Sequence, residues 1–369
     1  MGQQKERKRA MNQLEEAREK IDQIDAQLAC LFEQRMQAVQ GVIAYKKQTG
    51  MAILDSGREE QVIEKNTARI QQQDLQSYYQ QWQRDLMKIS RQYQAKILGQ
   101  DIVGYQGVEG AFAHIALQKL FPYAKAKNYS TWREVFEAVE QGEVAFGVLP
   151  FENSTTGDVG EVLDLCFGHH CHVVQVYDLP VVQNLLGLPG ADISSIKTVY
   201  SHPQGLRQSA KFLQQLHIQG IEYPNTAMAA KQVAEKADPT VGAIASAETA
   251  ALYGLQVLVP EVNQADGNTT RFVVISRKME QSGNRFSLLF TVEHTAGQLA
   301  RVIQRIGQQG FNMECIKSRP LPGTPWEYYF YAELVGDIGQ ESSQQLLEQL
   351  KSLCRSVKLL GVYTKEETA

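Results

Sequence analysis

Residues 10–47 contain no proline, and the first glycine within them is Gly41. Leu14, Ala17, Ile21, Ile24, Leu28, Leu31, Ala38, Val42 and Tyr45 recur every three or four residues, the period of one long amphipathic helix with a single apolar stripe. Arg35 takes the place in this series between Leu31 and Ala38. A cation there is costly to bury unless an anion meets it, so Arg35 is a candidate anion-binding group. Arg18 and Lys46 flank the stripe. Arg35 and Lys46 lie about three turns apart, roughly 16 Å along the axis, and two long side chains could converge on a small dianion between them. Arg18 is roughly 26 Å from Arg35 by the same rise, so it could serve such a site only on a partner subunit. A helix of this length also cannot bury its stripe within its own short domain, and an intertwined helical dimer answers both problems. The alternative for Arg18 and Lys46 is a pair of solvated shoulder residues.

The pattern restarts near Asp55, with Asp55 and Glu59 on one helical face, Arg58 beside them, and Ile63 and Ile70 on the apolar side. A third helix is predicted from about Asp74, with Leu75, Tyr79, Trp82, Leu86, Ile89, Tyr93 and Ile97 as its core stripe and Ser90 and Gln94 adjacent to it. From about residue 100 the texture changes to short apolar runs alternating with helical patterns, an α/β signature. Strands are predicted at 102–105, 144–150, 198–200, 241–245 and 272–275, several ending in Ser, Thr or Asn at a helix start. Ser201 reads as an N-cap, Pro203 suits the first helical turn, and Ser246 caps the helix through Tyr253. Helix N-termini at strand ends bind anions and line ligand crevices; ordinary capping is the plainer reading of any one of them. A polar run at 276–283 reads as a linker, and 284–363 follows a βαββαβ order.

Net charge is −4 over 369 residues, which implies no general attraction to nucleic acid or anionic membrane. No apolar run is long enough to span a bilayer, and the first six residues predict neither a signal peptide nor a myristoyl anchor. Five cysteines at irregular spacing suggest a reducing cytoplasm. Cys166, His169, His170, Cys171 and His172 offer zinc-ligating types, but no second Cys/His pair is evident to complete a site, so no metal is expected.

Residues 1–99 resemble the all-helical chorismate mutases, through Arg18-Glu19-Lys20-Ile21, Asp25, Glu33-Gln34-Arg35, Lys46-Lys47, residues 55–60, and Ser90 with Gln94. The resemblance implies an intertwined dimer in which Arg18 of the partner, Arg35, Lys46, Asp55, Arg58, Glu59, Ser90 and Gln94 bind substrate, with Lys46 and Gln94 as catalytic donors. Residues 100–277 resemble prephenate dehydratase, a two-lobed α/β fold, through 107–114, 147–157, 201–213, 243–255 and Thr270-Arg271-Phe272. That implies a catalytic Thr270 with Glu152, Asn153, Ser201 and Gln208 around the substrate; Gln183 stands where the family often has histidine. Residues 284–363 resemble the ferredoxin-like ACT regulatory module. Its effector motifs match in part, as Gly297-Gln298-Leu299-Ala300 and Lys317-Ser318-Arg319-Pro320, so Gly297, Leu299, Ser318 and Arg319 are the effector candidates. Lys317 replaces an acid and reverses a charge near the expected effector site.

Together these resemblances imply a bifunctional mutase–dehydratase, cytoplasmic and at least dimeric. It would convert chorismate through prephenate to phenylpyruvate without a cofactor, with L-phenylalanine as effector. The competing class is a non-catalytic aromatic-acid or amino-acid sensor built on a two-lobed binding module. A pure sensor needs neither the Arg35–Lys46 clamp nor Thr270, so assays of both half-reactions separate the two.

Overall fold

The computed structural model describes residues 2–49, 51, 53, 56–99, 102–263 and 267–365, with side chains from Leu14 in the first helix and from Gly57 in the second. Asp55 lies outside the described residues. The chain divides into two compact units, Met1–Asp101 and Ile102–Ala369. In the first, α1 (Gly2–Thr49) and α2 (Ser56–Thr67) both pack on α3 (Gln76–Leu98). Gly99, in the left-handed region at φ 67°, ends α3 and returns its N–H to the last turn.

The helices fall where the periodicity places them, but the faces are exchanged. Leu14, Ile21, Ile24, Leu28, Leu31, Val42 and Tyr45 are exposed, Leu31 at 58%. The part of α1 turned inward carries Arg35, Met36, Val39, Ile43 and Lys46. On α3, Trp82, Ile89 and Ile97 are exposed, as is Leu75 just before it, while Gln83, Met87, Ser90 and Gln94 are buried. Three-to-four spacing fits two faces of one helix. Within one chain the mixed face that carries Arg35, Ile43, Lys46, Met87 and Gln94 is inside, and the apolar stripe is uncovered.

The second unit opens with β1 (Ile102–Gln106), α4 (Phe112–Leu120), β2 (Lys125–Tyr129), α5 (Trp132–Gln141), β3 (Phe146–Asn153), β4 (Gly157–Asp158), α6 (Gly160–Gly168) and β5 (His172–Pro180). The chain then crosses to a second lobe of β6 (Asn184–Gly187), β7 (Thr198–Ser201), α7 (Pro203–Gln208), α8 (Ala210–Gln215), β8 (Gln219–Glu222), α9 (Thr226–Lys236), β9 (Val241–Ala245), α10 (Ala247–Tyr253) and β10 (Gln256–Val259). It returns to the first lobe as β11 (Thr269–Ser276), which pairs antiparallel with both β3 and β5. The second lobe has its own five-stranded sheet, ordered β10-β6-β9-β7-β8. Two chain crossings therefore join two lobes, the arrangement expected for a cleft.

The last segment runs β12 (Arg285–Thr291), α11 (Gln298–Gln308), β13 (Asn312–Pro320), β14 (Tyr328–Val335), α12 (Glu341–Leu353) and β15 (Ser356–Tyr363), in the expected βαββαβ order. It is built onto the first lobe. β15 pairs with β5 where Gly361 meets Val173, so one sheet runs β13-β14-β12-β15-β5-β11-β3-β1-β2. A Cβ at Gly361 would overlap the Val173 carbonyl, and glycine permits the approach. One apolar core includes Val135, Leu149 and Val273 with Tyr329, Tyr331 and Tyr363 from the last segment.

Candidate functional sites

In the helical unit the inward polar face converges. Lys46, 8% exposed, donates from Nζ to Gln94 Oε1 at 3.1 Å and to the Ile53 carbonyl. The first bond leaves the Gln94 amide Nε2 as its donor end. Ser90 is buried one turn earlier on α3. Arg35 is half-buried; burial lowers its pKa, opposed by the negative charge of Glu59. Its Nη1 is buried without a hydrogen-bond partner among the described residues. Glu59 pairs with Arg91. Arg91 was missed by sequence reasoning; its signal is a place three residues before Gln94, on the same side of α3. Arg58 and Arg18 are exposed. The pocket thus gathers Arg35, Lys46, Arg91 and one carboxylate around two buried amide and hydroxyl groups. A dianion suits that balance.

In the second unit, β3 and β11 bring Asn153 opposite Thr270 and Glu152 opposite Arg271. Asn153 Nδ2 donates to Thr270 Oγ1 and to Asn268 Oδ1, both at 2.9 Å. The Thr270 oxygen is thereby an acceptor, and its own hydrogen is the one left to give. Asn153 Oδ1 accepts the Thr155 and Thr156 amides at 3.0 and 3.1 Å, which folds the turn between β3 and β4. Gly157, at φ 82°, lets that turn close. From the other lobe, Gln208 Nε2 reaches Thr155 Oγ1 at 3.4 Å. The Gln208 Oε1 and the Asn268 Nδ2 are buried and unpartnered among the described residues, as is Gln183 Oε1 on the crossing between lobes. Asn268 was also missed; it directly precedes the Thr-Thr-Arg-Phe run.

Other candidates take different places. Ser201 is fully buried, and its hydroxyl donates to the Ile244 carbonyl at 2.7 Å, tying β7 to β9. It does not cap α7: His202 does, its Nδ1 accepting from the Gln204 amide. The Glu152 carboxylate turns away from Thr270, as neighbours on a strand do, and meets Lys317 at 2.8 Å. Lys317 also bonds Asp158. The charge reversal there faces the dehydratase lobe. Arg319 pairs with Asp164 of α6. Ser318 is exposed and lies opposite Phe330, which helps line a cavity of about 330 Å³ with Val292, His294, Leu299 and Tyr328. Gly297 caps α11 beside it. Cys166 and Cys171 are buried, their thiols pushed up to about 12 by burial. His169 pairs with Glu140 at 2.9 Å.

A helical pocket of cations and a two-lobed cleft centred on a hydroxyl donor define an enzyme with two centres for small carboxylic acids. The chorismate mutase type II family model matches residues 17–95, and the prephenate dehydratase model matches residues 103–280. A bifunctional chorismate mutase/prephenate dehydratase of Escherichia coli is 30% identical over 96% of this chain and 97% of its own length. Among solved structures, one described as a novel type of quorum quenching acylase matches with TM-score 0.67 at 27% identity, over 72% of this chain and 98% of that one. A prephenate dehydratase from Arthrobacter aurescens, solved in complex with L-Phe, matches with TM-score 0.66 at 24% identity, over 72% and 90%. The chain belongs to the bifunctional chorismate mutase/prephenate dehydratase family. It is an isomerase and a lyase of phenylalanine biosynthesis, taking chorismate to prephenate and prephenate to phenylpyruvate.

Proposed function

We propose that the two reactions are performed by the residues gathered above, in a homodimeric cytoplasmic enzyme that L-phenylalanine inhibits. The observation that carries the reading is the Arg35 guanidinium, half-buried on the inward face of α1 that also carries Lys46, with one buried nitrogen unpartnered among the described residues. It fits a carboxylate of chorismate. The rearrangement is pericyclic and needs no nucleophile; the pocket holds the dianion in a compact chair. Lys46 and Gln94 stabilise negative charge on the ether oxygen as its C–O bond breaks. Arg18 of the partner subunit, with the exposed stripe of α1 as interface, supplies a further cation.

In the second reaction, the electrons of the breaking carboxylate C–C bond enter the ring as carbon dioxide leaves, and the C–O bond to the hydroxyl breaks. Thr270, oriented by Asn153, donates a hydrogen bond or proton to the departing hydroxide. Gln208 from the other lobe and the Asn268 Nδ2, unpartnered among the described residues, hold the substrate. Asp55 and Arg58 belong to the mutase pocket in this reading. The five unpaired cysteines suit a reducing compartment.

The cavity beside Gly297, Leu299 and Ser318 is the effector site. It is apolar where Val292, Leu299 and Phe330 line it, and Glu293 and Glu327 on its wall are both held by Arg355. The L-Phe complex of the Arthrobacter relative supports L-phenylalanine as the effector. The test follows phenylpyruvate formation from chorismate with and without L-phenylalanine. Product is expected without cofactor, falling as phenylalanine rises; an unchanged rate in millimolar phenylalanine removes the effector assignment.

A further inference from the structure

The contacts of Lys317 have no part in either reaction as described. Its side chain is 7% exposed and lies between two carboxylates, Glu152 at 2.8 Å and Asp158, which are direct register partners across the β3–β4 hairpin. The ammonium also lies 5.3 Å from the centre of the Phe151 ring. Burial opposes its charge, yet the bonds to Asp158 and Glu152 hold its pKa above the ordinary value. Two residues on, Arg319 grips Asp164 through two nitrogens, and Tyr329 Oη donates to the same carboxylate at 2.6 Å. Thus β13 fastens the chain on both sides of the β4–α6 junction.

What it fastens is one residue from the chemistry. Glu152 precedes Asn153, the donor to Thr270, and Arg271 follows Thr270 and faces Glu152 in register. Arg271 is held by Asp178 at 2.8 and 3.0 Å. Successive residues of β3 and β11 thus alternate between the cleft and the face covered by the last segment. The turn that Asn153 folds also presents Thr155 to Gln208 of the opposite lobe.

We infer that Lys317 is a positioning residue of the dehydratase: by clamping Glu152 and Asp158 at the base of the β3–β4 hairpin, it fixes Asn153 and, through it, the Thr270 hydroxyl. Without the ammonium, two carboxylates face each other and repel, the hairpin base opens, and the Asn153–Thr270 bond lengthens. Misplacement of this size costs rate more than binding.

Lys317→Met in the full-length protein is expected to lower the dehydratase kcat by about tenfold or more with a smaller change in KM. Mutase kcat on the same preparation stays unchanged, and an unaltered melting transition of the second unit reports its folding. Lys317→Arg, which keeps the charge, restores most of the rate. Adding Lys317→Met to Glu152→Gln costs less than in the parent, since the two residues act through one contact. Parental kcat in Lys317→Met overturns the inference. So does an equal loss in Lys317→Met and Lys317→Arg with full additivity, which marks a packing role alone.

Discussion

Thr270 and Lys46 are each made useful by a neighbouring amide. Asn153 donates to the Thr270 oxygen and so directs its hydrogen outward; Lys46 donates to Gln94 and so turns the amide nitrogen outward. Lys46→Ala is expected to lower mutase kcat by about 3 kcal/mol of transition-state stabilisation, on the order of a hundredfold, with dehydratase rates unaffected. Stopped or continuous assays of chorismate loss on a folded variant check this, and a near-parental rate argues against the donor role. Thr270→Val should have the complementary profile: dehydratase activity abolished, mutase intact. Loss of both would contradict two separate centres. Arg35 was legible because a cation interrupts an apolar stripe; Lys46 only flanks that stripe, and Asn153, Thr270 and Gln208 were reached through the resemblance to prephenate dehydratase. Arg91 and Asn268 were not, because each looks like solvated surface until a partner from another element, Glu59 or Asn153, is brought to it.

At the scale of elements, periodicity located α1 and α3 but not the face each buries. Spacing of three and four is shared by the apolar stripe and by Gln83, Met87, Ser90 and Gln94, and only tertiary contact decides between them. The βαββαβ order was readable for a different reason: α11 is strongly one-sided and β13 alternates cleanly, although β12 is buried along its whole length. What no local pattern reports is the pairing of β15 with β5, a single register pair between segments nearly two hundred residues apart. The uncovered stripe of α1 leads to a prediction at this level. Ile24→Glu puts a charge where a second copy should pack. Light scattering should find the variant monomeric, with mutase activity lost and dehydratase activity kept; an intact dimer would mean that the stripe is not the interface.

For the whole molecule, the joined sheet makes the lyase lobe and the last segment one folding unit, and its ion pairs set an acid limit. Hydrogen bonds from Arg285 and then Lys365 pull Glu314 down to about 2, from an ordinary 4.5. A depressed carboxylate stabilises the fold fully above its unfolded pKa, and that contribution disappears as pH falls through the folded value. The melting temperature of this unit should therefore decline from about pH 4.5 towards pH 2, and Glu314→Gln should flatten the slope in that window; an unaltered slope would assign the acid sensitivity elsewhere. The exposed apolar stripe has a different consequence. If each mutase pocket borrows Arg18 from a second copy, isomerisation is a property of pairs, whereas Thr270, Asn153, Asn268 and Gln208 all belong to one copy. Gene dosage would then matter unequally: a sparsely expressed or strongly diluted enzyme would still consume prephenate while losing the means to make it.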